Sequence, residues 1–165
     1  MSENNNHTHG YQLAQLNVAS FLTSRDDPSV AGFVNALDEI NALADASDGF
    51  VWRLQDDEGA ALDFDPYGDG TIVNMSVWRD VQSLFSYTYK TAHAQIMARR
   101  KEWFHMPQEN HFVLWWVPAG HVPSLEEAID RLHILREEGA SPLAFHFKQA
   151  FDPIGNMINA NPDKA

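Results

Sequence analysis

Phe112-Val113-Leu114-Trp115-Trp116-Val117 is an unbroken apolar run, rich in aromatic and β-branched residues. It is too short for a helix with a buried stripe and reads as a strand. Successive strand side chains point to opposite faces, so both alternating sets are apolar, and Trp115 and Trp116 face opposite ways. A strand that is apolar on both sides is covered on both sides. Residues 71–78 repeat the pattern, with Val73, Met75 and Val77 on one side and Ile72 and Trp78 on the other. Asn74 and Ser76 share the face of Trp78.

Working outward, residues 11–22 alternate loosely and stop before Ser24, Asp26 and Pro28, which marks a first strand and a turn. Val30, Phe33, Val34, Leu37, Ile40 and Leu43 recur at helical spacing, and Ser47-Asp48-Gly49 ends that helix. Residues 50–55 form a short strand, and residues 56–70 a turn-rich acidic connection. Residues 80–104 read as one long helix with Phe85, Tyr89, His93, Ile96, Arg100 and Trp103 on one stripe. After the strand at 112–117, the turn Pro118-Ala119-Gly120-His121-Val122-Pro123 leads to a helix capped by Ser124. Glu127 completes a capping box, and Gly139 closes that helix. Residues 144–151 read as a last strand.

The first six elements, strand-helix-strand-strand-helix-strand, give an α+β fold: a ferredoxin-like split βαβ sheet with helices on one face. A second copy of the chain is then the simplest cover for the other apolar face, so the expected assembly is a homodimer. One domain spans 11–153, between a polar N-terminal tail, 1–10, and a polar C-terminal tail, 154–165.

Composition removes several function classes. The chain has 165 residues, no Cys and a formal charge of −12. That charge opposes binding to nucleic acid or an anionic membrane. Without Cys there is no disulfide scaffold, zinc ribbon or thiolate nucleophile. The acids cluster: between residues 26 and 69 Arg53 is the sole base, which reads as a solvated acidic face rather than a substrate site. No signal pattern opens the sequence and no apolar run is long enough to span a bilayer, so the expected location is the cytoplasm. The unusual counts are five Trp, ten Phe and eight His, which suit a heavy core or an aromatic-lined pocket.

The segments Gly49-Phe50-Val51-Trp52-Arg53-Leu54-Gln55, Met75-Ser76-Val77-Trp78, Arg99-Arg100-Lys101-Glu102-Trp103-Phe104 and Trp115-Trp116-Val117-Pro118-Ala119-Gly120-His121 resemble a bacterial family known as domain of unknown function 3291. The resemblance runs from about residue 11 to 151. The family resembles in turn the dimeric α/β-barrel superfamily, typified by antibiotic biosynthesis monooxygenases. That superfamily includes cofactor-free quinone-forming monooxygenases, haem-degrading monooxygenases, haem peroxidases, small isomerases and plain ligand-binding domains. The resemblance implies a dimeric α/β barrel with a ligand cavity between the helices and each protomer's own sheet. His146 stands where the family pattern has a hydroxyl residue, so any role for it belongs to this chain alone.

Within the helical stripe His93 and Arg100 project from the face expected to be buried. In the functional reading Arg100 holds an oxyanion or carboxylate and His93 accepts a proton. In the structural alternative Arg100 pairs with an internal acid and His93 is a hydrogen-bonded core residue. Tyr89, Trp78, Trp103 and Trp116 would wall the cavity, Asn74 would add a polar contact, and His121 would sit at its mouth on a proline-stiffened turn; core or turn packing is the alternative for each. No His or Glu spacing places two metal ligands on one helix, so no metal site is expected. A calcium-loop-like start at 63–69 has Tyr67 at its fifth position and Asn74 at its twelfth, which argues for a solvated loop. The expected function is binding of a small apolar or aromatic ligand. As an enzyme the chain would be a cofactor-free monooxygenase or isomerase of a small aromatic or polyketide-like compound. The alternatives are a non-catalytic binding or dimerisation module and a haem protein with His93 or His146 on the iron.

Overall fold

The computed structural model describes residues 10–23, 27–55 and 71–164. The acidic connection at 56–70, with its calcium-loop-like stretch, lies outside the described residues, as do residues 1–9 of the expected N-terminal tail.

Strand β1 (Tyr11–Ser20) runs through the middle of a four-stranded antiparallel sheet. It pairs with β3 (Thr71–Trp78) on one side and β4 (Phe112–Pro118) on the other, and β2 (Phe50–Arg53) lies outside β3. Helix α1 (Ala31–Asp45) links β1 to β2, while α2 (Val81–Lys90) and α3 (His93–Ala98) link β3 to β4. Two βαβ units are thus interleaved in the order β2-β3-β1-β4, the ferredoxin-like arrangement expected from the sequence.

The faces of the sheet differ in their cover. Ala14, Leu16, Val73, Met75, Val113, Trp115 and Val117 meet Ala128, Leu132 and Leu135 of α4 (Leu125–Glu138) in one buried core. Leu13, Trp78 and Leu114 point the other way, toward the side of α2 with Val81, Leu84 and Tyr87. The crossover helices of the split βαβ therefore share one face, and the additional helix α4 takes the opposite one. Over β1 and β4, α4 covers part of the face that the sequence reading gives to a second copy of the chain. The ends of α4 follow the sequence. Ser124 Oγ accepts from the Glu127 amide at 3.1 Å, and Gly139 turns the chain at φ +77°.

Three expectations change. The single helix over 80–104 is broken: α2 stops at Lys90, Thr91 is extended (φ −124°, ψ −178°), and α3 begins at His93. The hydroxyl of Thr91 explains the break, because it donates to the Tyr87 carbonyl at 2.6 Å and accepts from the His93 amide at 3.2 Å. It supplies the partners that the next helical turn would have given. A 3-10 turn (Arg100–Glu102) then leads to Trp103.

The last strand over 144–151 shrinks to a bridge at Phe145, which exchanges two backbone hydrogen bonds with Leu114, followed by β5 (Ala150–Phe151). The stretch read as a C-terminal tail holds β6 (Met157–Ile158), paired to β5, and the buried Ala160. No described helix is long and apolar enough to cross a membrane.

Candidate functional site

Polar residues at alternate positions of the two central strands share one face of the sheet. Gln15 faces Ser76 across the β1–β3 pair and Asn17 faces Asn74. Gln15 Nε2 donates to Asn74 Oδ1 at 2.6 Å and to Ser76 Oγ at 2.8 Å, and Trp78 Nε1 donates to the same Ser76 oxygen at 2.8 Å. With both lone pairs engaged, the Ser76 hydroxyl keeps its own proton to donate.

Above this polar floor lies a cavity of about 350 Å³. Its roof is one stripe of α1: Phe33, Ala36, Leu37, Ile40, Asn41 and Ala44. Only Ala44 of α1 is buried, because the apolar stripe borders open space instead of a packed core. The volume is at the lower end of the range of cavities that hold drug-sized ligands, and the mix of apolar walls with few polar groups is typical of them.

The wall is α2, α3 and the turn that follows. His93 Nδ1 lies 3.1 Å from the Thr88 carbonyl. A carbonyl only accepts, so Nδ1 carries the proton and Nε2 keeps its lone pair, on a residue that lines the cavity. Burial pushes the His93 pKa below its ordinary value, and the Thr88 bond opposes that, so the ring is neutral at pH 7. It packs against the Tyr87 ring at 4.9 Å, and Tyr87 lies against Trp78 at 5.0 Å.

Arg100 reaches the other end of the cavity, where its Nη1 lies 3.0 Å from His111 Nε2. A guanidinium only donates, so His111 accepts as a neutral imidazole. Burial and the charges of Arg100 and Arg136 hold the His111 pKa at about 4. Among the described residues no carboxylate pairs with Arg100. Among the described residues, then, the internal acid of the structural alternative is not found, and Arg100 brings a positive charge to the cavity. The second cation on the lining, Arg53, is neutralised by Asp45 at 2.9 Å.

The expected site residues divide. His93, Arg100, Asn74, Trp78, Trp103 and Tyr89 line one cavity. Trp78 and Trp103 are buried in its walls, whereas Tyr89 is 46% exposed beside Phe85 and Phe147. Trp116 is on the cavity's face of the sheet but beyond its end, donating to the Phe151 carbonyl at 2.7 Å. His121 lies apart from the lining, with Nε2 2.7 Å from Glu127 Oε1. The other oxygen of Glu127 accepts from Trp115 Nε1 at 2.9 Å, so this carboxylate ties the turn to the far face of the sheet and does not close the capping box.

Sequence reading missed His111, Gln15, Asn17, Thr88 and Tyr87. Gln15 and Asn17 had a signal, since polar residues at i and i+2 of a central strand mark one polar face. His111 had none, because only the fold brings it to Arg100.

The residues fit haem poorly. A porphyrin would fill more than this space, and among the described lining residues only Arg100 is a cation without a carboxylate partner, against two propionates. His146 lies outside the lining. Among the described residues no cluster of three potential metal ligands occurs.

Fold and site together define a ferredoxin-like α+β protein with an internal small-molecule cavity. The chain belongs to the family described as domain of unknown function (DUF3291), whose model matches residues 12–160. No curated protein matches it significantly. Among solved structures, it is similar to NE2512, a protein of unknown function from Nitrosomonas europaea, at 19% identity and a TM-score of 0.46, over 70% of this chain and 98% of that one. It is also similar to SnoaB from Streptomyces nogalater, described as a cofactor-independent oxygenase, at 14% identity and a TM-score of 0.45, over 67% of this chain and 95% of that one. Rv0793 from Mycobacterium tuberculosis is similar at 14% identity and a TM-score of 0.44, over 68% and 99% of the two chains.

Proposed function

We propose that the chain binds a small aromatic compound with an acidic C–H or O–H and removes that proton with His93, the first step of a cofactor-free monooxygenase or isomerase reaction. The observation that carries this is the arrangement of His93. Its Nδ1–H is held by the Thr88 carbonyl, which leaves Nε2 as the basic nitrogen of a residue that lines an aromatic-walled cavity. A base oriented through its second nitrogen keeps one tautomer, and the orienting carbonyl stabilises the imidazolium that forms.

In the proposed step the substrate proton passes to His93 Nε2 and the electron pair stays on the substrate as a phenolate or enolate. The Ser76 hydroxyl can donate to that oxygen, and the Thr88 carbonyl on Nδ1–H favours the imidazolium formed beside it. Return of the proton to a different carbon completes an isomerisation. Reaction of the anion with dissolved dioxygen, one oxygen atom entering the ring and the other leaving as water, completes an oxygenation to a quinone. Every residue used comes from one protomer, so the reading holds for a monomer and for the expected homodimer alike.

The test is hydrogen–deuterium exchange at C1 of 2-tetralone in D₂O, followed by NMR. Native protein accelerates exchange, and His93→Ala reduces the acceleration about a hundredfold, the usual range for loss of a general base. Binding of the ketone without accelerated exchange would leave a ligand-binding protein and sink the catalytic reading.

A further inference from the structure

We propose that the cavity takes an elongated aromatic carboxylate, its acid group on Arg100 and its reacting end at His93. The inference rests on the proposed function only for what His93 does; the carboxylate subsite stands on separate observations.

Arg100 and His93 sit at different ends of the cavity. The carbonyl of His111, which holds Arg100, accepts from the Val18 amide at 2.9 Å, and Phe112 pairs with Asn17. The Arg100 end is therefore beside Val18. His93 stacks on Tyr87, which packs on Trp78, and Trp78 pairs with Leu13. Five residue steps along the strand lead from Leu13 to Val18, roughly 16 Å at about 3.3 Å each. Along α3 and the 3-10 turn, the seven residues from His93 to Arg100 advance about 10 Å. Backbone spacings of this size place the two residues at separate subsites along the cavity. The charge created by proton removal at His93 is thus distinct from the anion that Arg100 is built to hold.

The partner of Arg100 narrows the anion. His111 fixes the guanidinium through Nη1 without neutralising it, which leaves other N–H groups of the planar fork for a ligand. Nearby Arg99 and Arg136 each face a glutamate, Glu102 at 3.0 Å and Glu109 at 3.6 Å. A planar fork that meets no carboxylate among the described residues suits a carboxylate ligand, which it can bind with two parallel bonds. A phosphate dianion would call for more charge than one cation supplies. Around Arg100 the lining is aromatic, with the Phe33 ring against Trp103 at 5.6 Å and Phe104 at 5.0 Å. Between the ends, the Asn17–Asn74 and Gln15–Ser76 pairs form a floor two residue pairs long, which suits a two-ring ligand lying along β1.

Calorimetry with biphenyl-4-carboxylate and the isosteric biphenyl-4-carboxamide tests this. Native protein is expected to bind the carboxylate at least tenfold more tightly, and His93→Ala to keep that preference. Arg100→Gln should abolish it. His111→Glu should abolish it by another route, placing a carboxylate on Arg100 while leaving the guanidinium in the chain. Equal affinity of the two probes for the native protein, failure of both to bind at millimolar concentration, or a preference that survives Arg100→Gln overturns the proposal. The ratio for native protein decides even where a variant does not fold. If the carboxylate preference holds while native protein shows no proton exchange, the catalytic reading fails and the subsite stands.

Discussion

His111 shows how one residue's surroundings set both stability and site chemistry. Its folded pKa is about 4, against an ordinary value of 6.5, because burial and the Arg100 and Arg136 charges disfavour the imidazolium. Between those values the unfolded chain binds a proton that the native state refuses, so stability is lost as pH falls from 6.5 to about 4 and levels off below. The His93 pKa is also lowered, which adds a loss of the same sign. His111 is partly open to solvent, and screening reduces its own share to about 1 kcal/mol. Urea midpoints measured between pH 7 and 4 should fall less steeply for His111→Gln than for native protein. Equal slopes would mean that the ring is not held neutral by its neighbours.

At the scale of elements, Gly49 fixes how the α1–β2 junction meets α2. Its φ of +86° lies in the left-handed region, and an added Cβ would overlap Ser83 Oγ and Cβ. Gly49→Ala should cost about 2–4 kcal/mol, from the backbone preference and the overlap together. Ser83→Gly should return part of that loss, which a double-mutant cycle of denaturation free energies measures; zero coupling would place the strain elsewhere. Other elements differed in how far the sequence revealed them. The two-faced strands, the capped α4 and the order of the split βαβ were legible, because alternation, Ser124 and Gly139 are local signals. The break between α2 and α3 was not. Apolar spacing continues through residues 85–103, and nothing local shows that Thr91 will bond the Tyr87 carbonyl rather than extend the helix. His93 and Arg100 were found through a stripe that the fold interrupts, and they still reach one cavity because α3 and its 3-10 turn carry both along the same wall.

The whole molecule assigns different work to the two faces of one sheet. The face under α4 is packed solid: Leu16, Val113, Trp115 and Leu132 are fully buried. The opposite face leaves a cavity over a polar floor, which forgoes burial at the centre of the sheet. Stability and binding should therefore separate by face. Leu132→Ala removes a fully buried side chain and should cost about 2–5 kcal/mol, lowering the urea midpoint. The folded fraction should still bind biphenyl-4-carboxylate with native affinity, since no α4 residue lines the cavity. Arg100→Gln should show the reverse, a native-like midpoint without ligand and no gain from it. For native protein a hundredfold excess of the carboxylate over its dissociation constant should add about 2.7 kcal/mol of stability. Melting curves of the three proteins with and without the probe give all of these terms. If Leu132→Ala also lost the ligand-induced gain at temperatures where it is folded, the sheet would be transmitting strain between its faces, and their independence would be wrong.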